Sequence, residues 1–101
     1  MSNKFTKEAL SVSKTRYSLL APKFLKGTAD VLTLGAEKYN ANNWRKCKPN
    51  QLYLYWDALY RHLEAFRSGE TFDKESGINH LYHAACNIMF LSELEKRDEH
   101  K

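Results

Sequence analysis

Two sets of ionisable residues recur at helical spacing in the second half of this 101-residue chain. His80, His83 and Asn87 stand at i, i+3 and i+7 among apolar neighbours, and Asp57, Arg61 and Glu64 stand at i, i+4 and i+7 on an earlier segment. Residues at these intervals share one helix face, so each set reads as a stripe. Between the stripes runs Gly69-Glu70-Thr71-Phe72-Asp73-Lys74-Glu75-Ser76-Gly77, which holds three carboxylates within six positions. Burying such groups is costly unless they are paired, hydrogen-bonded or bound to a ligand. The imidazole stripe therefore reads as the lining of a pocket facing the preceding helix, where His62 lies between the small residues Ala58 and Ala65. Plainer readings stand beside it: a solvated ion-pair stripe for Asp57, Arg61 and Glu64, and helix capping for Asp73, Glu75 and Ser76. Were Glu37 and Asp57 to converge with the loop acids, their hard oxygens would suit Mg²⁺, which takes a few carboxylates together with substrate phosphates.

Three long helices must position these residues. Pro22 suits a first helical turn, where its fixed φ and missing N–H cost little. Leu25, Ala29, Leu32 and Ala36 then follow the helical period, with Asp30, Thr33, Glu37 and Asn40 as a second, polar stripe. Asn40-Ala41-Asn42-Asn43 ends that helix. A second helix is expected from about Asn50 to Arg67, with Trp56, Leu59, Leu63 and Phe66 inward and Gly69 as its stop. A third is expected from Glu75 or Ser76 to about Lys96, with Leu81, Ala84, Ala85, Ile88 and Leu91 apolar. No β-alternating segment of useful length occurs, so the class is all-α. Residues 1–15 read as a mobile arm, 16–96 as one helical domain and 97–101 as a charged tail.

Composition narrows the function classes. Residues 1–48 hold ten Lys or Arg against three acids, a net of +7, while residues 49–101 hold six against nine, a net of −3. That split suits a basic surface for nucleotides beside an acidic surface for cations. DNA binding is disfavoured, because no helix carries a run of Arg or Lys facing one way. No apolar run approaches the ~20 residues of a membrane span. Two cysteines, Cys47 and Cys86, make no disulfide framework, and a cytoplasmic setting is the expectation. Cys86 reads as a small core residue and Cys47 as a surface thiol. There is no glycine-rich phosphate loop, CxxC, HExxH or Gly-x-Ser-x-Gly elbow.

Several segments together resemble the small, mostly bacteriophage-encoded dATP/dGTP diphosphohydrolase N-terminal domain family. They are Arg16-Tyr17-Ser18-Leu19-Leu20-Ala21-Pro22, Gly35-Ala36-Glu37-Lys38-Tyr39 with Asn43-Trp44, Asp57-Ala58 with Arg61-His62-Leu63, Gly69-Glu70 through Asp73, Glu75-Ser76-Gly77, and His80-Leu81 through His83-Ala84 and Asn87. The chain is similar, more distantly, to the MazG-type all-α nucleoside triphosphate pyrophosphohydrolases, which hold Mg²⁺ between acidic residues of facing helices. The resemblance implies an oligomeric, nucleotide-handling helical protein of an infected bacterial cytoplasm. On that reading an antiparallel bundle of three long helices is completed by a homo-dimer or homo-tetramer. Metal ligands would come from Glu37, Asp57, Glu70, Asp73 and Glu75. Arg16, Lys38, Arg45 and Arg61 would neutralise phosphates, Tyr39 or Trp44 would stack on the base, and Asn43, His62, His80, His83 and Asn87 would line the nucleotide site. No catalytic residue is assigned. The reaction implied is Mg²⁺-dependent cleavage of a purine dNTP to dNMP and pyrophosphate. This chain, however, has no Glu-x-x-Glu, and its Glu70-x-x-Asp73 falls in the loop. The alternative is a metal-free sponge that sequesters a cyclic nucleotide signal of host immunity.

Overall fold

Pro22 does open the first helix, as N1 of α1 (Pro22–Tyr39), in a computed structural model that describes residues 14–95. α1 ends where Asn40 and Asn42 adopt positive φ, 92° and 60°, with the Asn40 N–H still bonded to the Ala36 carbonyl. Asparagine tolerates this backbone region better than most residues. Two short 3₁₀ turns, Asn43–Lys46 and Pro49–Gln51, lead into α2 (Tyr53–Arg67), which Gly69 terminates at φ 108°. The last helix is α3 (His80–Glu95). The described residues are helical or irregular, without a strand; one isolated bridge joins Phe72 to Asn79. No described helix is long and apolar enough to cross a membrane. Most of the expected arm and all of the charged tail lie outside the described residues.

α3 begins later than the expected Glu75 or Ser76. Asp73 takes the Ser76 N–H on its carboxylate at 2.9 Å, and Gly77 sits at φ 77°, so residues 73–78 close a turn instead. The helix is capped by Asn79, whose side-chain oxygen accepts from the Leu81 N–H at 2.8 Å. Asp73, Glu75 and Ser76 are therefore loop residues rather than first-turn caps.

α3 is the central helix, packed against both α1 and α2. On α2 the inward face is Tyr55, Leu59 and His62, meeting Phe90, Ala84 and Leu91, and His80 respectively. Contacts descend α2 as they ascend α3, so the two helices run antiparallel. The expected stripe is rotated: Trp56, Leu63 and Phe66 are 39%, 39% and 36% exposed. Docking His62 onto His80 fixes the rotation, because a buried imidazole loses more by lacking a partner than a half-covered aromatic loses by facing water.

α1 departs from expectation in the same way. Leu25 and Ala29 face outward, while Gly27 is buried under the Tyr82 ring, which a Cβ at position 27 would strike. Cys86 reaches the Thr28 carbonyl at 3.4 Å. A face of small residues lets the backbones approach closely, and that approach outweighs the larger side chains beside it. The polar stripe faces solvent: Asp30 pairs with Lys26 at 2.9 Å and the Thr33 hydroxyl donates to the Ala29 carbonyl. On α3, Leu81 and Ile88 are exposed and the buried positions are His80, Ala84, Cys86, Asn87, Leu91 and Leu94. Burial pushes the Cys86 thiol up to about 11, as befits an inert core cysteine.

Candidate functional site

Helix α3 carries His80, His83 and Asn87 on buried or half-buried positions, and α2 presents His62 to them. The Nδ1 atoms of His62 and His80 lie 2.8 Å apart, and the His62 ring stacks on His83 with centroids 4.5 Å apart and planes 9° from parallel. The loop supplies the acids. Glu70 meets His80 Nε2 at 2.7 Å, and Asp73 lies 3.9 Å from His83 Nε2. The Ser76 hydroxyl is 2.7 Å from that same His83 nitrogen and accepts from the Ile78 N–H. Asn87 donates to the His83 carbonyl, which ties it to its own helix.

These contacts set the charge states. Burial, then the neighbouring imidazoles of His83 and His80, pushes His62 down to about 4. Burial lowers His83 as well, against the pull of Asp73. For Asp73, burial alone would raise the carboxyl, but the Ser76 backbone N–H and hydroxyl, with the two imidazoles, hold it below its ordinary value. His62 and His83 are thus neutral near pH 7 and Asp73 is ionised. Asp73 and Ser76 approach the same nitrogen of His83, so the trio is not a Ser-His-Asp relay, in which the carboxylate holds the opposite ring nitrogen.

Beside this cluster opens a cleft of about 1120 Å³, walled by the C-terminal half of α1, the 40–45 segment, the loop and α3. Of the expected nucleotide-binding residues, Lys38, Tyr39, Asn43, Trp44, Arg45 and His83 line it. Asp73, Glu75 and Ser76 form part of the same lining. Lys38 bonds Glu75 at 3.3 Å, which raises its pKa, and its ammonium lies 5.4 Å from the Tyr39 centroid. Trp44 stacks on Phe90 at 5.0 Å and has the Arg45 guanidinium 4.3 Å from its ring, whereas Tyr39 is 57% exposed.

The other expected residues lie elsewhere. Arg16, Glu37, Asp57 and Arg61 are exposed and outside the cleft lining, and Glu70, His62, His80 and Asn87 belong to the α2–α3 seam. The five expected metal-ligating carboxylates are not gathered at one point. Among the described residues, the set of ligand atoms close enough to share one ion is His62, Asp73 and His80. Asp73 and Glu75 still suit a Mg²⁺ that arrives with a polyphosphate, since that ion needs only one or two protein carboxylates. Sequence reasoning gave Ser76 only a capping role; its hydroxyl bond to His83 depends on a loop closure that helical periodicity does not show.

Comparison with known proteins gives the relationship. The family described as "dATP/dGTP diphosphohydrolase, N-terminal" matches residues 4–101. A protein of Salmonella phage PMBT28, named dATP/dGTP diphosphohydrolase, is 36% identical over 78 residues, which is 77% of this chain and 26% of that relative. The chain thus spans about a quarter of the relative's length. No solved structure gives a significant match.

Proposed function

This chain belongs to the dATP/dGTP diphosphohydrolase N-terminal family, and from that premise we propose that it binds a purine deoxynucleoside triphosphate in the α1–α3 cleft and cleaves it to monophosphate and pyrophosphate. The observation that carries the reading is the shared cleft wall, where Lys38, Arg45 and Tyr39 stand beside Asp73, Glu75 and His83. Lys38 and Arg45 would take phosphates, Tyr39 would stack on the base, and Asp73 and Glu75 would hold Mg²⁺ entering with the nucleotide. That ion would supply charge stabilisation at the phosphoanhydride. His83, neutral near pH 7, is a group on this wall able to accept a proton from attacking water. Replacing Glu75 by Gln keeps its shape and removes its charge, so Mg²⁺-dependent pyrophosphate release from dGTP or dATP should fall sharply. Unchanged turnover would remove Glu75 from the site.

One observation favours the sponge reading: Glu37 and Asp57 stand apart from the cleft, and Glu75 is already paired with Lys38. A sponge needs only Lys38, Arg45 and Tyr39, and would hold a cyclic nucleotide intact without metal. For either reading we place the protein in the cytoplasm of an infected bacterium, as a dimer or tetramer. Tyr53, Trp56, Tyr60 and Leu63 of α2 are 39–59% exposed, and a second copy of the chain would cover them and complete the bundle. A mass of two or four times 11.8 kDa by light scattering supports the assembly; a single-chain mass rejects it.

A further inference from the structure

The polar seam between α2 and α3 holds a donor set unlike the carboxylates expected of a Mg²⁺ enzyme. Ligand atoms of His62, His80 and Asp73 all lie within 4.8 Å of one another. His80 is 4% exposed, and its Nε2 faces the Glu70 carboxylate at 2.7 Å. An imidazole facing a carboxylate keeps its proton on that nitrogen, which leaves His80 Nδ1 as a lone pair. That lone pair points at His62 Nδ1, 2.8 Å away. Glu70 thus stands in the place of the outer carboxylate that orients a metal-binding histidine. The His83 ring, stacked at 4.5 Å, holds His62 in the plane that keeps Nδ1 aimed at His80.

We infer that His62 Nδ1, His80 Nδ1 and Asp73 bind one divalent transition-metal ion of the Zn²⁺ or Co²⁺ class, with Glu70 as the outer partner of His80. Two imidazoles and one carboxylate match the preference of such ions and not that of Mg²⁺ or Ca²⁺, which take oxygen. Nitrogens at 2.0–2.1 Å from a tetrahedral ion stand about 3.3 Å apart, so the imidazole pair needs to open by about half an ångström. Without metal, His62 donates its Nδ1 proton to His80. With metal, that proton sits on His62 Nε2, both rings remain neutral and no proton is lost from the pair. Three protein ligands leave at least one position open, the pattern of reactive rather than purely structural ions. Asp73 also lines the cleft, so an ion here would stand at its wall. The inference does not rest on the nucleotide reading, since it concerns metal binding in the absence of nucleotide.

The test uses the full, tag-free chain stripped with chelator, loaded with Zn²⁺ or Co²⁺ in the presence of millimolar Mg²⁺, desalted and analysed for metal. About one ion per chain is expected. Retention should fall at least tenfold in His62→Gln and in His80→Gln, and persist in Cys47→Ser, which removes the more accessible of the two thiols. Because His80→Gln alters a buried position, ¹⁵N imidazole spectra of the wild-type chain supply an independent reading: Zn²⁺ should move the His62 proton from Nδ1 to Nε2. Less than one-tenth of an ion per chain, retention unchanged in the His62→Gln/His80→Gln double variant, or loss with Cys47→Ser would overturn the assignment. So would metal binding that leaves the His62 tautomer unchanged.

Discussion

The seam between α2 and α3 has two ends built on opposite principles. At one end Leu59 meets Ala84 and Leu91, with Leu52 and Tyr55 packed alongside. At the other, within one turn of α2, His62 meets His80, His83 and the loop acids. The same helical period puts both ends on one face, yet the apolar end gains from simple removal of water while the polar end holds only when its groups are paired. A helix that continues an apolar seam into a row of imidazoles gives up stability there, and a cleft opens beside that end.

Substitutions sharpen the contrast, beginning with the largest effect. Leu59→Ala empties the apolar end and should cost about 2–5 kcal/mol, read as a lowered denaturant midpoint. A loss below about 1 kcal/mol would mean that the small cluster around Leu59 does not hold the fold. His62→Leu should cost less, about 1–3 kcal/mol, because it strands the buried His80 Nδ1 while adding apolar contact. A gain in stability would show that the polar end is a pure liability.

The polar end should also respond to acid where the apolar end does not. His62 binds its proton near 6.5 when unfolded but only near about 4 when folded, so its contribution is complete above pH 6.5 and is lost as pH falls toward 4. His83 shifts in the same direction, and Asp73 adds a further loss at lower pH. In chelator, the wild-type melting temperature should fall across pH 6.5 to 4, and His62→Leu should flatten that slope; an unchanged slope would assign the acid sensitivity to other groups. The smallest effect is expected for Glu75→Gln, because its ion pair with Lys38 lies on the surface, the two side chains being 81% and 53% exposed. Its melting temperature should match wild type, so any loss of turnover reports on the site and not on folding.

The periodicity of the sequence located the helices well and their rotation poorly. Pro22, Asn40 and Gly69 mark boundaries through backbone preferences that act locally, and these stand. The imidazole stripe was legible from spacing alone, because His80, His83 and Asn87 repeat on one helix face whatever packs against them. Which face turns inward on α1 and α2 was not legible, because Gly27 under Tyr82 and His62 against His80 are pair interactions between helices. Nor did spacing reveal the 73–78 turn, where the Asp73 bond to the Ser76 N–H competes with helix initiation. Dispersal of Glu37 and Asp57 away from the loop acids follows from those same rotations.

The central claim is that the cleft beside the polar end handles a nucleotide chemically, and it meets its most direct test in the fate of the bound ligand. The chain is incubated with dATP, dGTP and a panel of cyclic di- and trinucleotides, with divalent metal or with EDTA, then heat-denatured, and the released nucleotides are identified. Cleavage of dATP or dGTP to monophosphate and pyrophosphate with metal, and none in EDTA, is the predicted result. Recovery of one tightly held cyclic nucleotide intact, in EDTA as in metal, alongside untouched dNTPs, would contradict it.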